Sequence, residues 1–493
     1  MVRPFHSLVA VVSSLFLASA LVACSEEIIQ VAPPVATPEA DSGPGEVPDA
    51  GEADADAGPP AKATFPEVQS RGGPVQKTPK VLPIVFPGDP MRTQITQFTQ
   101  KISTSNYWKE ISPEYGVGTT ITPLTTIEVA EAAPASIKSK EIETWLIGKL
   151  SGATPEFGAP DPNTLYAIYY PPGTSITMEE AGELGQSCEG YGGYHYEVKI
   201  GTTKVGYAVM PRCGDIDELT IAASHEYYEW ATDPFPATAP AYAKLDDGHW
   251  AWQAAFIGEL SDICTFLDPD NMQPAEIGFT VQRHFSNKLS LAGKYPCAPV
   301  AGKTGPYLQA IPIPEDTATV PDYSSIGPAS YIDVKAIRVP PGGSKSADVL
   351  VYSDVPHSQQ VPMRALAYDE FYGGTATSGF TFELDQSYGV AGSKVKLKIN
   401  APKKVGYEIV VMLAYTGERS ANYWPVLVVN DDGADIGGRP KKPIITPETL
   451  PKRYDRIANP FQVREHKRNI PRAPRKLIGP PRASASSLVC GAP

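Results

Sequence analysis

The stretch "DIDELTIAASHEYYEWATDP", residues 215–234, decides how the rest of the chain is read. Asp215 and Asp217 suit an N-cap and Asp-Pro stops the run, so the spacing predicts a helix over about 217–232. At 100° per residue Leu219, Ala223, Tyr227 and Trp230 fall in one apolar stripe, and His225 and Glu229 fall together on nearly the opposite side. An i, i+4 pair aims both side chains at one point. In an HExxH helix that spacing lets two residues hold zinc while the glutamate after the first histidine acts as general base. Here Glu226 takes the place of the base and Glu229 replaces the second histidine. The uncharged "TIAAS" just before the motif suggests burial on both sides, and a buried histidine with two buried glutamates needs partners or a metal.

A zinc site of this kind needs a third protein ligand and an open position. "GELSDIC", residues 258–264, offers Glu259 and Asp262 three residues apart, which on a helix would face the same way. It resembles the Glu-bearing second helix of gluzincin peptidases. Glu259 is the expected third ligand and Asp262 the partner accepting the free N–H of His225, with the two roles interchangeable. Asp233, His195, His249 and His284 stand in reserve. Zinc is the expected ion; one histidine with two carboxylates is a harder ligand set than two histidines with one glutamate, so calcium or manganese are the alternatives.

Around this unit the sequence divides by composition. Residues 1–23 carry a lone basic Arg3 and an apolar stretch too short to span a bilayer, shaped like an export signal. Leu21-Val22-Ala23-Cys24 resembles the lipobox of bacterial lipoproteins, which implies cleavage before Cys24, acylation of its thiol, and an exported chain anchored in the cell envelope, at the outer membrane or cell surface. From Ser25 to Pro60 there are nine acidic residues and no Lys or Arg, so residues 24–72 are expected to form a disordered acidic Pro/Ala-rich tether.

Beyond it, strand-like runs ("KVLPIVFPG", "TLYAIYYPP", and "YHYEVKI" with "KVGYAVMP") interleave with helical patterns, which predicts an α+β metal-site domain, zincin-like, over 73–303. Seven short alternating runs without a helix predict an all-β sandwich over 305–430. Residues 431–493 hold 13 Lys or Arg against 6 Asp or Glu with many prolines, a basic tail expected to be disordered. The net charge of −13 argues against nucleic acid as a partner. With Cys24 acylated, Cys188, Cys213, Cys264 and Cys297 form an even set in an exported chain and Cys490 is left over. The pairings that close the shortest loops are Cys188 with Cys213 and Cys264 with Cys297.

"GGPVQKTPKVLPIVFPGD" (72–89), "NYWKEISPEYGVG" (106–118), "CEGYGGYHYEV" (188–198), "SHEYYEWATDP" (224–234), "GELSDIC" and "VQRHFSN" (281–287), taken in order, resemble bacterial exported proteins related to the plant exordium, or phosphate-induced, family. The resemblance covers about residues 72–298. Its motifs fall on His225, Glu226, Glu229, Asp233, Glu259, Asp262 and Cys264, and Trp230 stands where a small residue is expected. It implies either a peptidase-like zinc site acting on peptide or protein, or a non-enzymatic surface and adhesion protein with a structural or vestigial metal that binds envelope polymer.

Overall fold

The computed structural model describes residues 63–178, 185–256, 258–322, 330–431, 445 and 471–474. The signal 1–23, Cys24, most of the tether, Cys490 and most of the basic tail lie outside the described residues.

The architecture is mixed α/β with several sheets. Its first sheet runs Thr122–Pro123, then β1 (Lys80–Val85), β2 (Thr164–Tyr169), β4 (Thr203–Met210) and β3 (Tyr194–Ile200), parallel except for β3, which closes the edge as a hairpin with β4. Both faces are covered, as near-continuous apolar strands require. Leu82, Ile84, Tyr166, Ile168, Tyr207 and Val209 point to the side of α3 (Ser139–Lys149) with its Ile142 and Leu146. Val81, Val85, Leu165, Ala167, Tyr169, Ala208 and Met210 point to the other side, shared with α1 (Arg92–Ile102) and α4 (Ile216–Thr232). The helical pattern of "ITQFTQKISTSNYWKEI", residues 95–111, is broken after Ile102, and Ser105 caps a new helix, α2 (Asn106–Ile111), by accepting from the Trp108 N–H.

Beyond residue 305, helix is confined among the described residues to Tyr368–Phe371. One sheet has the order Leu308–Pro312, Ser344–Ser353, Lys394–Asn400, Thr381–Leu384. The other runs Asp316–Pro321, Tyr331–Arg338, Ala421–Asn430, Gly406–Tyr415, Gln360–Ala367, Tyr388–Val390. Each of the seven alternating runs read from the sequence coincides with a strand of these sheets. Leu308–Pro312 of the first sheet lies against the two longest strands of the second.

The chain crosses 303–305 without a break in the core: the described residues form one compact unit, and one apolar cluster runs from α1 and α4 into the strands beyond 305. The seam is aromatic. Trp252 of α5 (Trp250–Phe256) meets Trp424 edge-on at 5.1 Å, and the Trp250 indole N–H donates to the Pro321 carbonyl at 3.1 Å.

The expected tether ends earlier than residue 72. Val68–Ser70 pairs as a strand with Tyr242–Leu245, Val68 is buried, and Phe65 packs on Tyr352 and Trp424. These two apolar anchors, with backbone contacts from Pro66 to Ser290 and from Thr64 to His249, offset the ordering entropy that the acidic residues before them cannot. Two pieces of the basic tail also lie on the fold: Ile445 is buried, and the Pro471 carbonyl accepts from the Tyr415 hydroxyl.

Candidate metal centre

α4 starts where Asp215 accepts the N–H groups of Asp217 and Glu218, and it ends at Asp233 before the proline. Fourteen of its seventeen residues are buried, so it is an interior helix, and the polar side set against the apolar stripe faces protein too. Trp230 lies beneath the helix, against β4. A Cβ on Gly206 would sit 2.2 Å from the indole nitrogen, so glycine there makes room for the ring.

On the side that carries the motif, α4 is covered by α6 (Leu260–Thr265) and the two-residue strand Val281–Gln282. Both disulfides form in the expected pairs. Cys188–Cys213 ties the loop before β3 to the start of α4, and Cys264–Cys297 ties α6 to the strand beside His284–Phe285.

His225 Nε2 stands 3.0 Å from Glu229 Oε2 and 3.3 Å from Asp262 Oδ1. Its other nitrogen, Nδ1, lies 3.0 Å from Gln282 Oε1. The Gln282 amide is held in that sense because its Nε2 donates to the Ser261 carbonyl, which can only accept. Nδ1 therefore carries a proton, and Nε2 is directed at two carboxylates, donating to them when the ring is charged and offering its lone pair to a cation that displaces that proton. Gln282 is set in turn by the Ser224 hydroxyl, which accepts its backbone N–H, and by Tyr107, which donates to its carbonyl.

The role expected for Asp262 thus belongs to Gln282, which orients the ring, and Asp262 stands with Glu229 at the ligand position. Apart from the His225 nitrogen, neither carboxylate oxygen of Asp262, which is fully buried, has a hydrogen-bond partner among the described residues. A buried carboxylate in that condition is costly unless something positive faces it. Donor atoms around a zinc ion with arms of about 2.0–2.1 Å stand roughly 3.3 Å apart, so His225, Glu229 and Asp262 fit a divalent cation.

Glu259 is placed elsewhere. It is the extended N-cap of α6, outside the helix, so the three-residue spacing to Asp262 does not put the two on one helix face. Its Oε1 lies 4.0 Å from His195 Nε2. Of the reserve residues, His195 is brought in: it pairs in register with Ala208, whose side faces α4, and its Nδ1 lies 3.5 Å from Glu226 Oε2 and 3.6 Å from Glu229 Oε2. Glu226 Oε1 rests over Gly193, where a Cβ would come within 2.8 Å of it. Asp233 caps α4 and accepts the Ala241 N–H. His249 pairs with Asp246 and Thr64 away from the centre. His284 lies between Ser261 and Tyr107, and burial holds it well below its ordinary range, neutral.

The charges are unevenly matched. Burial disfavours charge on both site histidines, yet the carboxylates around them raise His195 and His225 well above 6.5. Burial and neighbouring carboxylates raise Glu226, Glu259 and Asp262, burial raises Asp233 to about 6, and Glu229 is held low by the two histidines against the effect of its burial. The raised histidines stabilise the fold below about 6.5 and lose that contribution as pH rises through their folded values. The raised carboxylates act in the same direction from about pH 4 upward, and Glu229 acts oppositely but only below about 4.5. The chelated protein is therefore expected to lose urea resistance between pH 5 and pH 9, and added Zn²⁺ to reverse that slope, because ligands bind deprotonated. A chelated protein that gains resistance over this range would contradict the charge balance described.

No family model and no curated protein matches the chain. Among solved structures it is similar to the S-layer protein rSbsC(31-844), at 15% identity over 26% of this chain with a TM-score of 0.16, and it spans 14% of that protein's length. It is similar to SbsC domains 4 and 5 at 15% identity over 26% of this chain and 74% of theirs, with a TM-score of 0.15. Scores this low carry no argument about fold or role.

Proposed function

We propose that this chain is a divalent-cation-dependent peptidase-like hydrolase, zincin-like in its α4–α6 centre, exported and anchored in the cell envelope through lipid on Cys24, and related to the exordium family. The observation that carries the reading is the convergence of His225, Glu229 and Asp262, with the Asp262 carboxylate fully buried and facing only the His225 nitrogen among the described residues. A bound cation, zinc first and calcium or manganese after it, would polarise a peptide carbonyl and acidify a water. Glu226 is the residue to take the proton and return it to the leaving amine. It adjoins His225 without belonging to its ligand set, and its raised affinity for protons suits that exchange. Gln282 keeps the His225 Nε2 lone pair on the cation side. Among the described residues no helix is long and apolar enough to cross a membrane, which says nothing of a β-barrel. The test is digestion of an unstructured protein by wild type and by Glu226→Gln, with the metal content of each measured.

A second reading has its own support. His225, Glu226 and Glu229 are each at most 2% exposed, and Asp262 is fully buried between an interior helix and a disulfide-tied one. That burial favours a cation which braces the fold of a non-enzymatic surface protein, with the strands beyond 305 as the binding part. Digestion that is absent from wild-type protein with full metal content selects this reading.

A further inference from the structure

The residues beside the proposed cation repeat its arrangement. His195 Nε2 lies 3.2 Å from the Asp233 backbone carbonyl, which can only accept, so this nitrogen carries the proton. Nδ1, on a side chain only 3% exposed, is aimed between Glu226 Oε2 at 3.5 Å and Glu229 Oε2 at 3.6 Å, and it offers a lone pair to a cation that displaces its proton. Both separations exceed the usual N–H···O hydrogen-bond range of about 2.7–3.2 Å and lie within a few tenths of an ångström of the roughly 3.3 Å between donor atoms around a zinc ion. His225 and His195 therefore have the same design: one ring nitrogen spent on a fixed acceptor, Gln282 or Asp233, and the other turned toward the Glu229 carboxylate. His225, Glu229 and Asp262 form one group of converging donors, and His195, Glu226 and Glu229 a second. The elements differ too. The first group joins α4 to α6, and the second joins α4 to the edge strand β3, so Glu229 sits where the two meet.

We infer that the centre takes two divalent cations, the second seated on His195 Nδ1, Glu226 Oε2 and Glu229, with Glu229 shared between the ions. The inference rests on the first cation at His225, Glu229 and Asp262. It reassigns Glu226 from free base to ligand whenever the second ion is bound. One histidine with two carboxylates suits a borderline or hard ion, Zn²⁺ or Mn²⁺.

The test is to strip the full chain of metal in detergent, titrate it with Zn²⁺ by calorimetry, and measure bound metal by atomic absorption. Wild type is expected to take two equivalents, and His195→Ala and Glu226→Gln one each. Circular dichroism of the variants checks folding, and the wild-type count stands whatever the variants do. Mn²⁺ loading adds a spectroscopic readout, because two ions sharing one carboxylate give a spin-coupled paramagnetic resonance spectrum that His195→Ala must lose. A wild type that binds one equivalent, retained in His195→Ala, overturns the second cation and leaves the first standing. A wild type that binds none overturns both. Two equivalents with no spin coupling place the second ion away from Glu229 and also overturn the inference.

Discussion

His225→Ala is expected to strip the ion from the α4–α6 site and to destabilise the fold by about 3–5 kcal/mol, the cost typical of removing one partner from a buried charged group. The effect is local. Without the imidazole, Glu229 Oε2 and Asp262 Oδ1 lose the group 3.0 and 3.3 Å away. Asp262 then has no partner for either oxygen among the described residues, and Gln282 Oε1 loses the N–H that it accepts. The two carboxylates can lower the cost by taking up protons, so the loss should be smaller at pH 5 than at pH 8. Urea unfolding at both values, alongside metal analysis, measures it. Wild-type stability at pH 8 with the ion retained would mean that His225 is an ordinary core histidine.

Glu226→Gln is expected to lower hydrolysis of an unstructured protein by about 10²–10⁴-fold, the usual contribution of a positioned general acid or base. The substitution keeps the shape of a side chain that rests over Gly193 and is 2% exposed, so folding should be little disturbed. The ion held by His225, Glu229 and Asp262 should stay, because Glu226 is not among its ligands. Lost hydrolysis with the equivalent at His225, Glu229 and Asp262 retained separates this residue from His225, whose removal takes both. A Glu226→Gln protein that digests the substrate at the wild-type rate would remove Glu226 from the chemistry.

How much of this was legible beforehand depends on how local each feature is. α4 was readable because its signals lie within it: the Asp215 cap, the Asp-Pro stop and the i, i+4 pair. The strands beyond 305 were readable from period-2 alternation, as in "KVKLKI", where Val395, Leu397 and Ile399 are buried and the lysines between them exposed. The disulfides followed from loop length.

The roles of Glu259 and Asp262 were left interchangeable because the start of α6 decides between them. One residue's shift in that start moves Glu259 from the helix face to an extended cap, and helix boundaries are the least legible part of a pattern. His195 was held only in reserve, and Gln282 was not named, for another reason. Their places depend on pairing in space: His195 on its register with Ala208, Gln282 on the packing of Val281–Gln282 against α4. A partial signal was present, since the alternation of "YHYEVKI" puts His195 on the face opposite Tyr194, Tyr196 and Val198. Nothing in that alternation says which helix the face meets. The end of the tether was misplaced because acidic composition outweighed two apolar residues, Phe65 and Val68, whose partners lie between about 177 and 359 residues away in the chain.

A cation between α4 and α6 is what the proposed function requires. Elemental analysis of the full chain, purified without chelator and without added metal, tests it most directly. At least one equivalent of a divalent ion per chain, zinc first, is the result this structure leads to; a protein that is folded, active in no assay and free of stoichiometric metal would contradict it.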